Sequence, residues 1–218
     1  MAIAVASEQA DGLRVVTADD CTLAELSALQ GHWTPAQYLK LTNDGNRLIE
    51  FTDGRIEFLP MPTQRHQAIL RFLFRAVDSL VRDLGGEVFF APLRLRVRDG
   101  KFREPDLLLV HDAQDPRCRD DYWLGADVVM EVISPDNPDR DIVDKRVDYA
   151  EAGIPEYWIV NPMDETVTVL VLADGEYREH GVFRPGEHAA SSGLPGFSVD
   201  VRETFDAASP RTGGREHR

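Results

Sequence analysis

The spacing of apolar residues changes several times along the chain, and each change predicts an element. His66, Leu70, Leu73, Val77, Leu80 and Leu84 recur at helical spacing and the pair Gly85-Gly86 stops the run, so a long amphipathic helix is expected there. Before it, RLIEF and RIEFLP flank Asp53-Gly54, a pair that tolerates the positive φ of a tight turn and so predicts a hairpin. After it, VFFAPLRLRV, FREPDLLLVHD and DVVMEVIS read as strands, the last two close enough to be neighbours in one sheet. A second helix is expected from about Arg140 to Ala152, opened by the breaker-rich SPDNPD and closed by Gly153. EYWIVNP reads as a buried strand, TVTVLVL and EYREHGVF as a hairpin around Asp174-Gly175, and GFSVDV as a last strand. Toward the N-terminus, TLAELSAL and TPAQYLKL read as a helical arm, the second piece with Thr34 as N-cap and Pro35 at the first helical position.

The fold class expected is α/β: a mixed β-sheet flanked by helices, with an N-terminal helical arm and a C-terminal β-hairpin. At 218 residues and 43% hydrophobic, the chain can bury one sizeable core and is short for two large domains. The expected organisation is a loose N-terminus over 1–20, one domain over 21–205 and a loose tail over 206–218, whose SPRTGGREHR run cannot bury apolar surface. Cys21 and Cys118 have no CxxC spacing and no secretory-type leader precedes them, so a reducing, cytoplasmic setting is expected. The apolar runs are strand-sized and interrupted by charge, which gives a membrane role no support. A formal charge of −14 argues against coating nucleic acid by electrostatics alone. The charge is uneven, however: Gln64 to Arg103 carries nine basic residues against four acidic ones, so a locally basic surface is available.

Two carboxylates stand out against this pattern. Val128, Val129, Met130, Val132 and Ile133 form the near-continuous apolar run of a central strand, with Glu131 in its middle. Asp106 heads the run LLLV, behind Pro105, which restricts the residue before it to an extended shape. A carboxylate buried without a partner is costly, so each must be paired, protonated or bound to a metal. Two acids on adjacent strands would make a hard-oxygen site for Mg²⁺ or Mn²⁺, with the carbonyl of Val132 or Ile133 as a further ligand. A buried salt bridge or a strand-edge cap is the plainer reading of either acid alone.

On the second helix Asp141, Lys145 and Tyr149 follow at i, i+4 and i+8 and share a face. Lys145 is one of three lysines against twenty-one arginines, and a compact ammonium can shift its pKa or orient a water where a guanidinium cannot. A surface pair with Asp141 accounts for the spacing equally well. Ser134 and Tyr149 read as hydrogen-bonding support, and Trp123, Tyr157 and Trp158 as core.

EPDLLLV, EVISP and DIVDKRVDYAEAGIPEYWIVNP together resemble the Uma-type restriction-endonuclease family, a branch of the PD-(D/E)XK superfamily, over roughly Arg47 to Pro162. The resemblance implies a restriction-endonuclease-like core with Asp106 and Glu131 as metal ligands for Mg²⁺ or Mn²⁺. Many superfamily members carry the catalytic lysine two residues after the second acid, where this chain has Ile133; in this branch the following helix supplies it, as Lys145. It also implies that Glu57, at the end of the first hairpin, and His66, at the head of the first long helix, lie near the acids, Glu57 as an extra ligand. Asn161 stands where the family more often has Asp. The activity implied is a metal-dependent endodeoxyribonuclease acting on DNA, and many enzymes of this type pair as homodimers, for which the edge of the C-terminal hairpin is a candidate interface.

Arg94, Arg96 and Arg98 alternate with Leu93, Leu95 and Val97, so all three guanidiniums are expected on one strand face, suited to phosphate contacts or to plain surface pairing. Two other classes remain open: a non-catalytic binding or assembly module that retains the fold, which the acidity and the displaced lysine favour, and a hydrolase of small nucleotides, which needs no DNA surface.

Overall fold

The Asp-Gly pairs at 53–54 and 174–175 turn the chain as their chemistry predicts. Asp53 and Gly54 take φ of 46° and 82°, Asp174 and Gly175 take 55° and 83°, and each pair joins two antiparallel strands. Gly54 is needed twice over, since a Cβ there would also meet the backbone of Gly31 at 2.6 Å.

The computed structural model describes residues 3–6, 14–17, 22–25, 29–45 and 47–208. In chain order these form β1 (Ile3–Ala6), β2 (Arg14–Thr17), β3 (Thr22–Glu25), α1 (Pro35–Asn43), β4 (Ile49–Thr52), β5 (Arg55–Phe58), α2 (Gln64–Asp83), β6 (Glu87–Phe90), β7 (Leu95–Arg98), β8 (Lys101–Arg103), β9 (Leu107–Val110) and β10 (Val128–Val132). A π-helical turn (Arg140–Asp144) then runs into α3 (Lys145–Glu151), followed by β11 (Glu156–Asn161), β12 (Thr166–Ala173), β13 (Glu176–Phe183), β14 (His188–Ala190), β15 (Ser198–Asp200) and α4 (Val201–Asp206). Among the described residues no helix is long and apolar enough to cross a membrane. The chain divides into two compact units, Met1–Pro60 with Arg98–Arg103, and Met61–Val97 with Glu104–Arg218.

In the first unit, β1, β2 and β3 pair antiparallel. β1 and β2 fall in the first twenty residues, a stretch read from its composition as loose; ladder pairing defines them, which hydrophobic period does not signal. Thr22–Glu25 corrects the helical reading of TLAELSAL, because pairing with β2 overrides a weak helical propensity there. The other half of the expected arm is helical: Thr34 caps α1 in a reciprocal box with Gln37, and Pro35 opens the helix. Tyr38 of α1 stacks on Phe51 with ring centroids 5.2 Å apart and donates its hydroxyl to the Ile49 carbonyl at 2.9 Å. β4 lies between β5 and β8, so Ile49, Phe51, Ile56 and Phe102 bury one side of the strands, while Glu50, Thr52, Arg55 and Glu57 alternate to the other.

The second unit is built on a six-stranded mixed sheet in the order β13-β12-β11-β10-β9-β6, with β10 and β11 parallel and the remaining pairs antiparallel. Val128, Met130 and Val132 face a core shared with Ile69, Leu73 and Val77 of α2. Val129 and Ile133 face the opposite core, with Tyr149 of α3. A strand covered on both sides has no polar face, which is why β9 reads as an unbroken apolar run and β10 as one broken by Glu131 alone. α2 ends where expected. Gly85 takes φ 89°, and a Cβ on Gly86 would meet the Val110 carbonyl at 2.2 Å.

Two strand readings are corrected, and the expected last strand is present as β15. VFFAPLRLRV is two strands, β6 and β7, because Pro92 offers no N–H to a ladder. FREPDLLLVHD likewise divides at Pro105 into β8 and β9. GFSVDV passes directly into α4, capped by the Asp200 side chain, which accepts the Glu203 N–H. The expected second helix is present, but its first turn, Arg140–Asp144, is π-helical. Such insertions are frequent at functional sites.

Candidate metal centre

β9 and β10 are in antiparallel register with Leu107 opposite Met130, so Asp106 and Glu131 meet one step beyond, at the end of the paired stretch. The Asp106 amide N–H approaches Glu131 Oε2 at 3.4 Å, and Asp106 Oδ2 accepts the Val132 amide at 2.8 Å. The two carboxylates are thereby interlocked through backbone. Asp106 Oδ2 also contacts His66 Nε2 at 2.9 Å, which places the first turn of α2 at the site. His66 is buried, and its Nδ1 has no partner among the described residues.

The helical side supplies the positive charge. Lys145 Nζ lies 2.7 Å from Glu131 Oε1 and 3.2 Å from Asp141 Oδ1, with Lys145, Glu131 and Asp141 all essentially removed from solvent. Tyr149, one turn on, donates its hydroxyl to the same Oε1. The i, i+4, i+8 spacing thus faces inward, and the surface-pair reading of Asp141 and Lys145 is set aside by their burial. Tyr157 fixes the π-helical turn by donating to the Asp141 carbonyl at 2.8 Å, a role its reading as plain core did not include.

Burial pushes the Glu131 carboxyl up; Lys145 pulls it back, the charges of Asp106 and Asp141 oppose that pull, and it rests at about 8. Burial likewise raises Asp141 despite Lys145 and Arg140. At His66 burial disfavours the charged ring, but the hydrogen bond and charge of Asp106 win and hold it above its ordinary value. The physical cause is common to all three. Asp106, Glu131 and Asp141 crowd three carboxyl groups around Lys145, with Arg140 acting on Asp141 and His66 on Asp106, so each group's proton affinity is set by its charged neighbours as well as by burial.

Those residues fit a hard divalent cation. Asp106 Oδ1 accepts no hydrogen bond among the described residues, and Glu131 keeps Oε2 on the side of Asp106 because Lys145 and Tyr149 hold Oε1. Among the described residues, no group of three or more His, Cys, Asp and Glu side chains is arranged to hold an ion. The two acids would therefore need water, backbone or substrate oxygens to complete a coordination sphere, as Mg²⁺ commonly does.

Glu57 is on β5 in the first unit, where it lines a cavity with Glu50, Arg55 and Arg103. Arg94 precedes β7, so the expected three-arginine strand face is reduced to Arg96 and Arg98. Arg98 forms a two-pronged contact with Asp53 at 2.7 and 2.8 Å, and the Arg96 guanidinium sits 5.9 Å from the centre of the Tyr122 ring.

No curated protein matches the chain. A solved structure from Anabaena variabilis, titled as a putative nuclease belonging to DUF820, is similar with a TM-score of 0.63 at 20% identity, covering 78% of this chain and 98% of that one. That likeness shows the fold, a restriction-endonuclease-like mixed sheet flanked by helices. The pattern of the Uma2 family, described as "Putative restriction endonuclease", matches residues 35–202 and so reaches beyond the stretch over which the resemblance was first read. It spans α1 through the start of α4 and includes Asp106, Glu131 and Lys145, and with most of its length matched this chain belongs to the Uma2 family.

Proposed function

We propose that the protein is a Mg²⁺- or Mn²⁺-dependent endonuclease that hydrolyses DNA phosphodiester bonds at the Asp106–Glu131–Lys145 centre. The observation that carries the reading is the meeting of Asp106 and Glu131 at the end of two adjacent central strands, with Lys145 2.7 Å from Glu131. Asp106 and Glu131 would hold the cation, which when bound would draw charge from the phosphoryl group and make water more acidic.

The chain's own groups have separable tasks. Lys145 and Tyr149 fix Glu131 through Oε1. Asp141 holds Lys145 as the charged ammonium on the floor of the site, where it favours the added negative charge of a pentacovalent phosphate. His66 and the Val132 amide fix Asp106 through Oδ2. In the reaction, a water oxygen bonds to phosphorus and one bridging P–O ester bond breaks. The water gives up a proton and the departing oxygen takes one, leaving a phosphate monoester and a free hydroxyl.

A second reading has an observation of its own. Lys145 is committed to two carboxylates and is almost entirely buried, the posture of a structural ion pair in a protein that keeps the fold without cleaving. Nicking of supercoiled plasmid with Mg²⁺ or Mn²⁺, beside Asp106→Ala, Glu131→Ala and Lys145→Ala, separates the two. Cleavage that falls by at least about 10²-fold in each variant supports the nuclease; equal nicking by all four proteins means contamination, and none by any moves the reading to the non-catalytic module.

A further inference from the structure

β6 ends the six-stranded sheet: it pairs with β9, and among the described residues no strand lies on its other side. It carries two adjacent phenylalanines, Phe89 and Phe90, 43% and 51% exposed. A sheet edge that also shows large apolar side chains is a liability to the free protein, because it invites association with another molecule. The strand's contribution to the core is made by Val88.

As neighbours on a strand, the two rings point to opposite faces of the sheet. Phe89 is opposite Leu108 and meets Trp123 edge-to-face at 5.5 Å. Phe90 is opposite Leu107, on the face that α2 covers, and meets Phe74 of α2 edge-to-face, also at 5.5 Å.

α2 brings positive charge to the Phe90 side. From Gln64 to Val77 the helix has three arginines and no acid, in a chain whose net charge is −14. Arg71 stands three residues before Phe74 and four before Arg75, so it neighbours both on the helix surface, and both arginines are exposed. Like charges at that spacing weaken a helix slightly. The nearest acid along the helix, Asp78, is engaged by Arg82 at 3.0 Å.

This patch adjoins the acidic centre. Phe90 pairs with Leu107, the residue after Asp106, and the next amide, that of Ala91, reaches the Asp106 carbonyl at 3.4 Å. His66, which contacts Asp106 Oδ2, lies about two turns before Phe74 on the same helix. Two arginines beside an open aromatic ring suit a ligand that carries regularly spaced negative charges and flat apolar faces, which is a nucleic-acid strand. In a duplex those faces are already stacked on one another. In an unpaired strand they are open to the ring.

We propose that Phe90, backed by Phe74, is a stacking platform for an unpaired base of the DNA strand that enters the Asp106 centre, with Arg71 and Arg75 holding the phosphates beside that base. That the strand is a substrate rests on the nuclease reading above; its binding to the platform does not. Every base has a flat face, so the platform reads no sequence and selects unpaired over paired DNA.

Fluorescence anisotropy of the whole protein in EDTA, where nothing is cut, tests the platform with labelled oligothymidylate and with an abasic strand and a duplex of the same length. The base-bearing strand should bind at least about tenfold tighter than either of the others. Phe90→Ala should weaken it by at least about fivefold and leave the abasic strand unchanged, and Phe90→Trp should restore binding. Arg71→Gln combined with Arg75→Gln should weaken both single strands and lower the salt dependence of log K by about 1.4, the value for two phosphates. Thermal melts check that the variants fold; Phe90→Leu, which keeps apolar bulk without a ring face, replaces an alanine variant that does not. Equal binding of base-bearing and abasic strands, tighter binding of the duplex, no binding by the unaltered protein, or an equal loss on both strands in Phe90→Ala would overturn the proposal. So would a dimer in light scattering that Phe90→Ala separates with strand binding unchanged, which would make this edge a contact between two copies. Strand binding by a protein that nicks no plasmid would remove the nuclease reading and leave the platform, whereas nicking without preference for the unpaired strand would do the reverse.

Discussion

Two glutamates of the central sheet are buried to the same degree and do opposite things. Glu131 on β10 and Glu156 on β11 are 2% and 1% exposed, on neighbouring parallel strands, but the register sets Glu156 opposite Val128 and Glu131 opposite Ile159, toward opposite ends of the pair. Glu156 takes four donors: Trp158 Nε1 and Ser191 Oγ at 2.6 Å on one oxygen, and the amides of Ser192 and Gly193 at 2.7 Å on the other. Neutral dipoles surround it, and it ties the 191–194 loop to the sheet. Glu131 has an ammonium and a phenol on one oxygen, two further carboxylates nearby, and only a long amide contact on the other oxygen. Burial of a carboxylate is thus no sign of a site. What sets Glu131 apart is that its neighbours are ionisable groups, Lys145, Asp106 and Asp141, and not neutral dipoles.

The comparison breaks most sharply by substitution. Glu131→Gln should lower plasmid cleavage by on the order of 10²–10³-fold while leaving a cooperative melt, since the amide keeps the shape and removes one of the two acids that would hold the cation. Glu156→Ala should do the reverse. It strips the acceptor from four donors, one of them the fully buried Trp158 indole, at a cost on the order of 3 kcal/mol, read by urea denaturation, with cleavage per folded molecule little changed. Equal behaviour of the two variants in both assays would erase the distinction drawn between them.

A smaller effect sharpens it further. Mn²⁺ at about one hundred times its dissociation constant should stabilise the unaltered protein by about 2.7 kcal/mol, a rise in melting temperature that Glu156→Gln keeps and Asp106→Asn loses. Tyr149→Phe removes one hydrogen bond to Glu131 Oε1, worth roughly 1 kcal/mol of stability, and as a positioning change it should weaken Mn²⁺ binding by calorimetry. A melt that shifts with unaltered Mn²⁺ affinity would make Tyr149 merely structural.

How much of this was legible beforehand divides along the same line. Glu131 announced itself because one acid interrupts an otherwise apolar run, and Asp106 because it heads another; hydrophobic period makes such exceptions visible. Lys145 and Tyr149 were visible as one helix face, but nothing in the spacing says whether that face looks inward, and a surface pair of Asp141 with Lys145 stayed open for that reason. Glu156 was not legible at all, since it begins a strand and three of its four donors come from a loop 35 to 37 residues away. Interior prolines were under-weighted: Pro92 and Pro105 each divide what apolar character joined. The cavity beside β4 and β5 depends on cross-strand register and on Gln30, 26 residues from its backbone partner, neither of which a single strand's pattern contains.

The smallest effect comes from a third place where burial meets carboxylates without building a site. Burial pushes the Cys118 thiol up, Asp115 adds to the push, Arg117 opposes it, and the group rests at about 11. Arg117 is largely turned to other tasks, with contacts to Asp115 and Asp127 at 2.6 Å each and to the Ala126 carbonyl at 3.3 Å, so it locks the loop more than it stabilises a thiolate. The sign follows directly: a thiol raised this far stays protonated through neutral pH and yields thiolate only as pH approaches 11. In a Cys21→Ser background, alkylation of Cys118 by iodoacetamide at pH 8 should be slower than that of an exposed cysteine by on the order of 10²-fold, with a rate still climbing at pH 10. A rate that levels off near pH 9 would mean that the Arg117 guanidinium reaches the sulfur after all, and that this loop, like the Glu131 centre, uses its charges on a neighbour.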